Sequence, residues 1–252
     1  MLIVADIGNT KTHIGLFDGR KVVQAYTVNT RTMSSVKLRL WKSKNIGGVV
    51  YASVRPSAER KFESVIRKHL GTLPIKKLGR DIKPPISLKV DNPKTVGMDR
   101  LANAIAAYER VKDACVVVDM GTAITFDVVS KKGEFVGGVI ASGMGISAKA
   151  LNDYCELLPL IKPDKPTKTI GKNTIDNIKS GVFWSVVGLI ECVIKNIRRE
   201  LKCKPYIIAT GGDANLLKNL GLFDEVIPHL TLEGIATAYY TTENKAATHD
   251  HK

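Results

Sequence analysis

Two stretches of this chain follow one plan. Residues 115–130 read CVVVDMGTAITFDVVS, and residues 2–19 read LIVADIGNTKTHIGLFDG. Each opens with a run of strand formers that ends in an acid, Asp6 in one and Asp119 in the other. A tight glycine turn follows, then a second strand of alternating character. Gly19-Arg20-Lys21 and Gly133-Glu134-Phe135 then lead into a third strand in each copy. Asp119 follows Asp6 by about 113 residues, which makes the pattern an internal repeat. A strand–acid–glycine turn–strand unit present twice predicts an α/β chain of two similar domains, residues 1–112 and 113–252, facing each other across a cleft.

A chain of 252 residues with 44% apolar content has enough material for a core in each half. It holds no run of 18 apolar residues, so no membrane span is expected. The apolar start stops at Asp6 with no basic segment before it, and reads as a strand and not as a leader. Cys115, Cys155, Cys192 and Cys203 show no metal-type spacing, which suits reduced thiols in a cytoplasmic protein. The five histidines form no cluster in sequence. The net charge of +14 raises the question of nucleic acid. The lysines are dispersed, however, and aromatics make up only 6% of the chain. That pattern argues against a nucleic-acid surface and for attraction of anionic substrates.

The turn of the first copy, Gly8-Asn9-Thr10-Lys11-Thr12, has the chemistry of a polyphosphate loop. Gly8 lets a ligand approach the backbone, and successive turn N–H groups form an anion-binding concavity. Thr10 and Thr12 add hydroxyl donors, Lys11 adds a point charge, and Asp6 could hold a hydrated Mg²⁺. A plain hairpin turn would use the same residue types; recurrence of the pattern at Asp119 favours phosphate. Strands are expected at 2–6, 12–17, 21–29, 48–54, 75–78, 114–119, 124–130, 135–142 and 205–209. Helices are expected at 34–43, 56–70, 101–111 with Asp99 and Arg100 in its first turn, 146–157, 175–200 and 232–240. Residues 81–93 read as a proline-rich loop and 241–252 as a frayed tail. Arg100 is suited to a substrate carboxylate or phosphate, and its charge favours the ionised form of Asp99. Thr174 stands at a helix start, as a cap or as a hydroxyl aimed at substrate. Gly181 and Gly188 in the long helix suggest close packing against another helix. Thr210-Gly211-Gly212-Asp213 is a third glycine loop at a strand end, a usual nucleotide position in α/β proteins.

In sequence order, the segments Asp6-Ile7-Gly8-Asn9-Thr10, Val96-Gly97-Met98-Asp99-Arg100 and Val118-Asp119-Met120-Gly121-Thr122-Ala123 resemble the type III pantothenate kinases of bacteria. So do Gly137-Gly138-Val139-Ile140, Ile170-Gly171-Lys172-Asn173-Thr174, Ala209-Thr210-Gly211-Gly212 and Leu230-Thr231-Leu232-Glu233-Gly234. The resemblance covers about residues 2–240. It implies two ribonuclease-H-like domains of the acetate kinase, sugar kinase, Hsp70 and actin group, a cytoplasmic homodimer, and phosphorylation of pantothenate by ATP with Mg²⁺. By motif, Asp99 resembles the general base, and Gly97, Met98, Arg100 and Thr174 the other pantothenate contacts. Asp6, Ile7, Gly8, Asn9, Thr10, Lys11, Thr12 and His13 resemble the first phosphate loop. Gly121, Thr122, Gly211 and Gly212 resemble further ATP contacts, and Asp119 the ligand of a monovalent cation, K⁺ or NH₄⁺. Val90 stands where the family often has Tyr, and Ser142-Gly143 where it commonly has Pro-Gly. Another small-molecule kinase of this fold and a non-catalytic regulatory homologue are the alternatives.

Overall fold

The computed structural model of the chain describes residues 1–33, 38, 41–42 and 44–249. The helix expected at 34–43 falls mostly outside them. The repeat read from the sequence appears as two sheets of the same topology. In the first, β1 (Leu2–Ile7) pairs antiparallel with β2 (Lys11–Phe17), which pairs antiparallel with β3 (Val22–Asn29). β4 (Gly48–Ser53) runs parallel to β1, and β5 (Ile75–Lys77) parallel to β4, giving the order β3-β2-β1-β4-β5. The two-residue β6 (Ser87–Leu88) comes next in the chain. The second sheet repeats the plan with β7 (Cys115–Met120), β8 (Ala123–Val129), β9 (Glu134–Ser142), β10 (Tyr206–Thr210) and β11 (Glu225–Val226), and adds β6 parallel to β9 at its edge, giving six strands in the order β6-β9-β8-β7-β10-β11. The short strands β6 and β11 fall in stretches with no strand signal; tertiary pairing alone makes them.

The chain forms two compact units. One holds Met1–Lys112, Gly133–Val136 and His229–Lys252; the other holds Asp113–Lys132 and Gly137–Pro228. A unit limit falls between residues 112 and 113, while Gly133–Val136 and the last helix, α6 (Leu230–His249), group with the first unit. The β1 sequence explains the layering of that unit. Successive side chains of a strand point to opposite faces, so an unbroken apolar run needs cover on both. Leu2 and Val4 enter a cluster with Ala102 and Ile105 of α2 (Met98–Val111) and with Leu232, Ile235 and Ala236 of α6. Ile3, Ala5 and Ile7 enter another with Ala58, Phe62 and Ile66 of α1 (Pro56–Leu70). Each fully buried Leu or Ile contributes about 2 kcal/mol. α2 and α6 cross so closely that a Cβ on Gly234 would overlap the Ala102 carbonyl. The tail expected to fray instead continues the helix past Tyr240, where Thr242 Oγ1 donates back to the Ala238 carbonyl and Glu243 accepts from Lys76 Nζ at 2.6 Å.

In the second unit, α3 (Met144–Tyr154) leads to the 28-residue α4 (Thr174–Leu201), and the short α5 (Ala214–Leu217) follows β10. Among the described residues, α4 is the one helix long and apolar enough to cross a membrane, with mean hydropathy 1.4 over its richest window. Interspersed polar residues break its apolar run, which is why the sequence showed no span. Its buried residues Ile178, Val182, Phe183, Val186, Ile190, Ile194 and Ile197 form the stripe of a core-packed helix.

Candidate active site

In the first unit β1 and β4 end together, with Ile7 opposite Ser53. Ligands of α/β sheets bind beyond the carboxyl ends of the strands, and two turns stand there. Gly8 N donates to the Lys11 carbonyl at 3.0 Å and closes the β1–β2 hairpin, while Val54 N donates to the Ile7 carbonyl at 3.1 Å. Thr30 supports the hairpin turn twice: its Oγ1 donates to the Gly8 carbonyl and its N–H to the Thr10 carbonyl, both at 3.0 Å. Asn9, Thr10 and Lys11 are exposed, open to a ligand. Thr12 is fully buried and its hydroxyl pairs with that of Thr30 at 3.0 Å. Its expected role as a phosphate donor therefore gives way to an anchoring one. The Ile7 side chain is core, so it offers only backbone. Asp6 and His13 face each other in register, and His13 Nδ1 lies 2.9 Å from Thr27 Oγ1. Burial, then the charges of Lys11 and His229, lower the His13 pKa, so the ring is neutral at pH 7.

Gly97 caps α2 and Asp99 lies in its first turn. A Cβ on Gly97 would run into Asp99 Oδ1 and lie 3.6 Å from Val54 Cγ1. The missing side chain lets the carboxylate fold back over the helix start, beside the strand end that carries the Gly8–Thr12 turn. Asp99 Oδ1 accepts from Arg100 N at 2.8 Å. The sequence expectation was that Arg100 keeps this acid ionised. In the structure burial dominates and raises the Asp99 pKa above its ordinary value, and the Arg100 N–H and charge offset only part of the rise. The Arg100 guanidinium lies 5.5 Å over the Phe135 ring, and Met98 packs its thioether against Gly79.

In the second unit three turns converge. Gly121 N donates to the Ala123 carbonyl at 3.0 Å, Gly143 N to the Thr122 carbonyl at 3.1 Å, and Asp213 N to the Met120 carbonyl at 3.1 Å. Gly211 (φ +92°) sits where a Cβ would lie 2.5 Å from the Met120 carbonyl oxygen and 2.6 Å from Asp119 Oδ1. A Cβ on Gly143 would overlap the Gly121 carbonyl and lie 2.6 Å from that of Thr122. The structure thus joins the predicted glycine loop to Asp119. One carboxylate among main-chain carbonyls is an all-oxygen donor set, which suits a hard cation. Sequence reasoning noted Gly143 only as a departure in turn chemistry and missed Thr30 entirely; no local signal marks either, because each acts on a distant segment.

Thr174 is the first residue of α4 and exposed. The cap is Asn173, whose side chain accepts from Asp176 N at 2.9 Å, so the Thr174 hydroxyl is not used for capping. It lines a groove of about 820 Å³ between α3 and α4, with Tyr154, Cys155, Leu158, Ile178 and Ser185. Gly181 and Gly188 have nothing within 4 Å of an added Cβ, so the close packing expected at them is absent within the described residues.

The family described as type III pantothenate kinase matches residues 2–196. The chain belongs to that family. A relative of that description in Syntrophotalea carbinolica is 36% identical over 251 residues, covering 95% of this chain and 98% of the relative. Among solved structures, a conserved putative Baf family transcriptional activator from Campylobacter jejuni superposes with a TM-score of 0.60 at 21% identity, covering 96% of this chain and 99% of that one. The activator of the 2-hydroxyisocaproyl-CoA dehydratase from Clostridium difficile, with bound ADPNP, superposes at 0.53 and 13% identity, covering 100% and 98%. These structural likenesses show the fold alone: a mixed α/β chain of two units, each built on its own sheet. In this type III pantothenate kinase chain, Asp119 stands in a glycine-crowded turn and Asp99 lies half-buried in the first turn of α2.

Proposed function

We infer that this chain transfers the γ-phosphoryl group of ATP to the primary hydroxyl of pantothenate, giving 4′-phosphopantothenate, the first step of coenzyme A synthesis. The observation that carries the reading is Asp99: a half-buried carboxylate of raised pKa, held at a helix start beside the Gly8–Thr12 turn. Such a group is a stronger base than an ordinary aspartate and is suited to accept the hydroxyl proton. Phosphoryl transfer asks mostly for positioning and charge neutralisation. The loop from Asp6 to His13 binds the phosphates through its backbone and Lys11, and Gly121, Thr122, Gly211 and Gly212 add nucleotide contacts. Mg²⁺, held through water by Asp6, and K⁺ or NH₄⁺ at Asp119 supply further positive charge when bound. Gly97, Met98, Arg100 and Thr174 position pantothenate, and Asp99 takes its hydroxyl proton.

The protein acts as a homodimer in the cytoplasm. Support for the dimer comes from α4 and the segment after α3: Gly181 and Gly188 leave a bare strip, Trp184 is 40% exposed, and Tyr154 and Leu157 are each 89% exposed. Four free cysteines, three of them exposed, suit a reducing compartment. The test is a coupled assay of ADP release with pantothenate, ATP and Mg²⁺, with and without K⁺. Turnover that requires pantothenate and rises with K⁺ is the expected result; ATP use indifferent to pantothenate would overturn the reading.

A further inference from the structure

Resting on the reading that residues 6–13 bind the nucleotide's phosphates, we propose that Arg55 is a positioning residue of that loop, which sets the direction of the Thr10 amide. Arg55 sits two residues past the end of β4, as Asn9 sits two past the end of β1, and the two strands are parallel neighbours. Its main-chain N–H donates to Ser53 Oγ at 3.1 Å, and its Nε lies 3.4 Å from Ser57 Oγ. Its Nη1 donates to the Asn9 carbonyl, 46 residues back in the chain. The side chain is thus fixed at its root and tied at its tip to the centre of the loop.

A peptide group is planar and trans, so its C=O and N–H point opposite ways. Holding the Gly8 carbonyl on Thr30 therefore turns the Asn9 N–H away from Thr30. Holding the Asn9 carbonyl on Arg55 turns the Thr10 N–H away from Arg55. Two successive amide planes are set by two side chains drawn from different strand ends. Consecutive oriented N–H groups are what an anion-binding concavity requires. Without Arg55 the Asn9 carbonyl is free to rotate toward the anion and repel it. The guanidinium also places a permanent positive charge at the loop.

The test compares Arg55→Met and Arg55→Lys with the wild type in steady-state kinetics and in equilibrium titration with ATP and with adenosine. Arg55→Met should raise the KM and the Kd for ATP about tenfold, the worth of one charge-assisted hydrogen bond. The KM for pantothenate and the Kd for adenosine should stay unchanged, and thermal melting should show a folded protein. Arg55→Lys, which keeps a charged donor, should recover most of the loss. ATP constants unchanged in Arg55→Met, or an equal loss for adenosine, would overturn the assignment. Wild-type protein that binds ATP but leaves pantothenate untouched would sink the functional reading alone, and the titrations would still decide the role of Arg55.

Discussion

The two acid-tipped turns occupy the same place in sheets that share a five-strand order, yet different contacts shape them. The Asp6 turn is tied down by side chains: Thr30 takes its Gly8 and Thr10 carbonyls, and Arg55 takes that of Asn9. The Asp119 turn is shaped by their absence: Gly143 and Gly211 let two other loops approach its main chain more closely than any Cβ allows. Hydrogen bonds from side chains can be weakened by degrees. Backbone contact across a missing Cβ tolerates no addition at all. Duplication has preserved topology and the position of an acid, while the physics that fixes each turn has diverged. The helices that follow the sheets differ too. α2 opens with the half-buried Asp99, whereas α6 opens with Thr231, whose hydroxyl donates to Asn103 at 2.7 Å.

The asymmetry of the helices gives the largest expected effect. Asp99→Asn should lower kcat by about 10²–10⁴-fold, the usual worth of a general base, with ATP affinity retained. Wild-type turnover in that variant would remove Asp99 from the role. The contrast between turns comes next. Gly143→Ala and Gly211→Ala should each cost about 2–4 kcal/mol of stability or abolish folding, read from urea melts. Thr30→Val, which leaves the Thr12 hydroxyl and the Gly8 carbonyl short of a partner, should cost only about 1–2 kcal/mol. Equal losses in the two turns would erase the distinction.

The smallest effect concerns pH. The folded-state pKa of Asp99 is raised, so between its unfolded value near 3.8 and its folded value the native state holds a proton that the unfolded chain releases. Stability from this group is therefore present below the unfolded pKa and is lost as pH rises through the folded one. Asp99→Asn should melt higher than wild type at pH 7, with the gap closing toward pH 4. The acid limb of kcat should lie above 3.8 for the same reason.

The hairpins were legible because strand formers of period two ran up to an Asp-x-Gly turn twice, and α2 because Leu101, Ile105, Tyr108 and Val111 mark one face; α6 was read only to residue 240. β6 and β11 were not legible, since two residues carry no periodicity. The site was legible as motifs and not as contacts. Sequence adjacency pointed to Arg100 as the dominant influence on Asp99, but burial, which only the fold creates, decides the direction. Thr174 was read as a cap or a substrate hydroxyl; the bond from Asp176 N gives the cap to its neighbour Asn173. Thr30 and Arg55 lie 22 and 46 residues from their loop partners, beyond any local pattern.

The place of the final helix bears on how the protein is made. Leu2, Val4 and Phe17 leave the ribosome first, but they share a cluster with Leu232, Ile235 and Ala236, which leave almost last. At ordinary elongation speeds, the stretch from 113 to 228 takes on the order of ten seconds to synthesise. For that interval the nascent amino-terminal sheet has only α2 on that face, and a ribosome stalled before residue 229 would release it half covered.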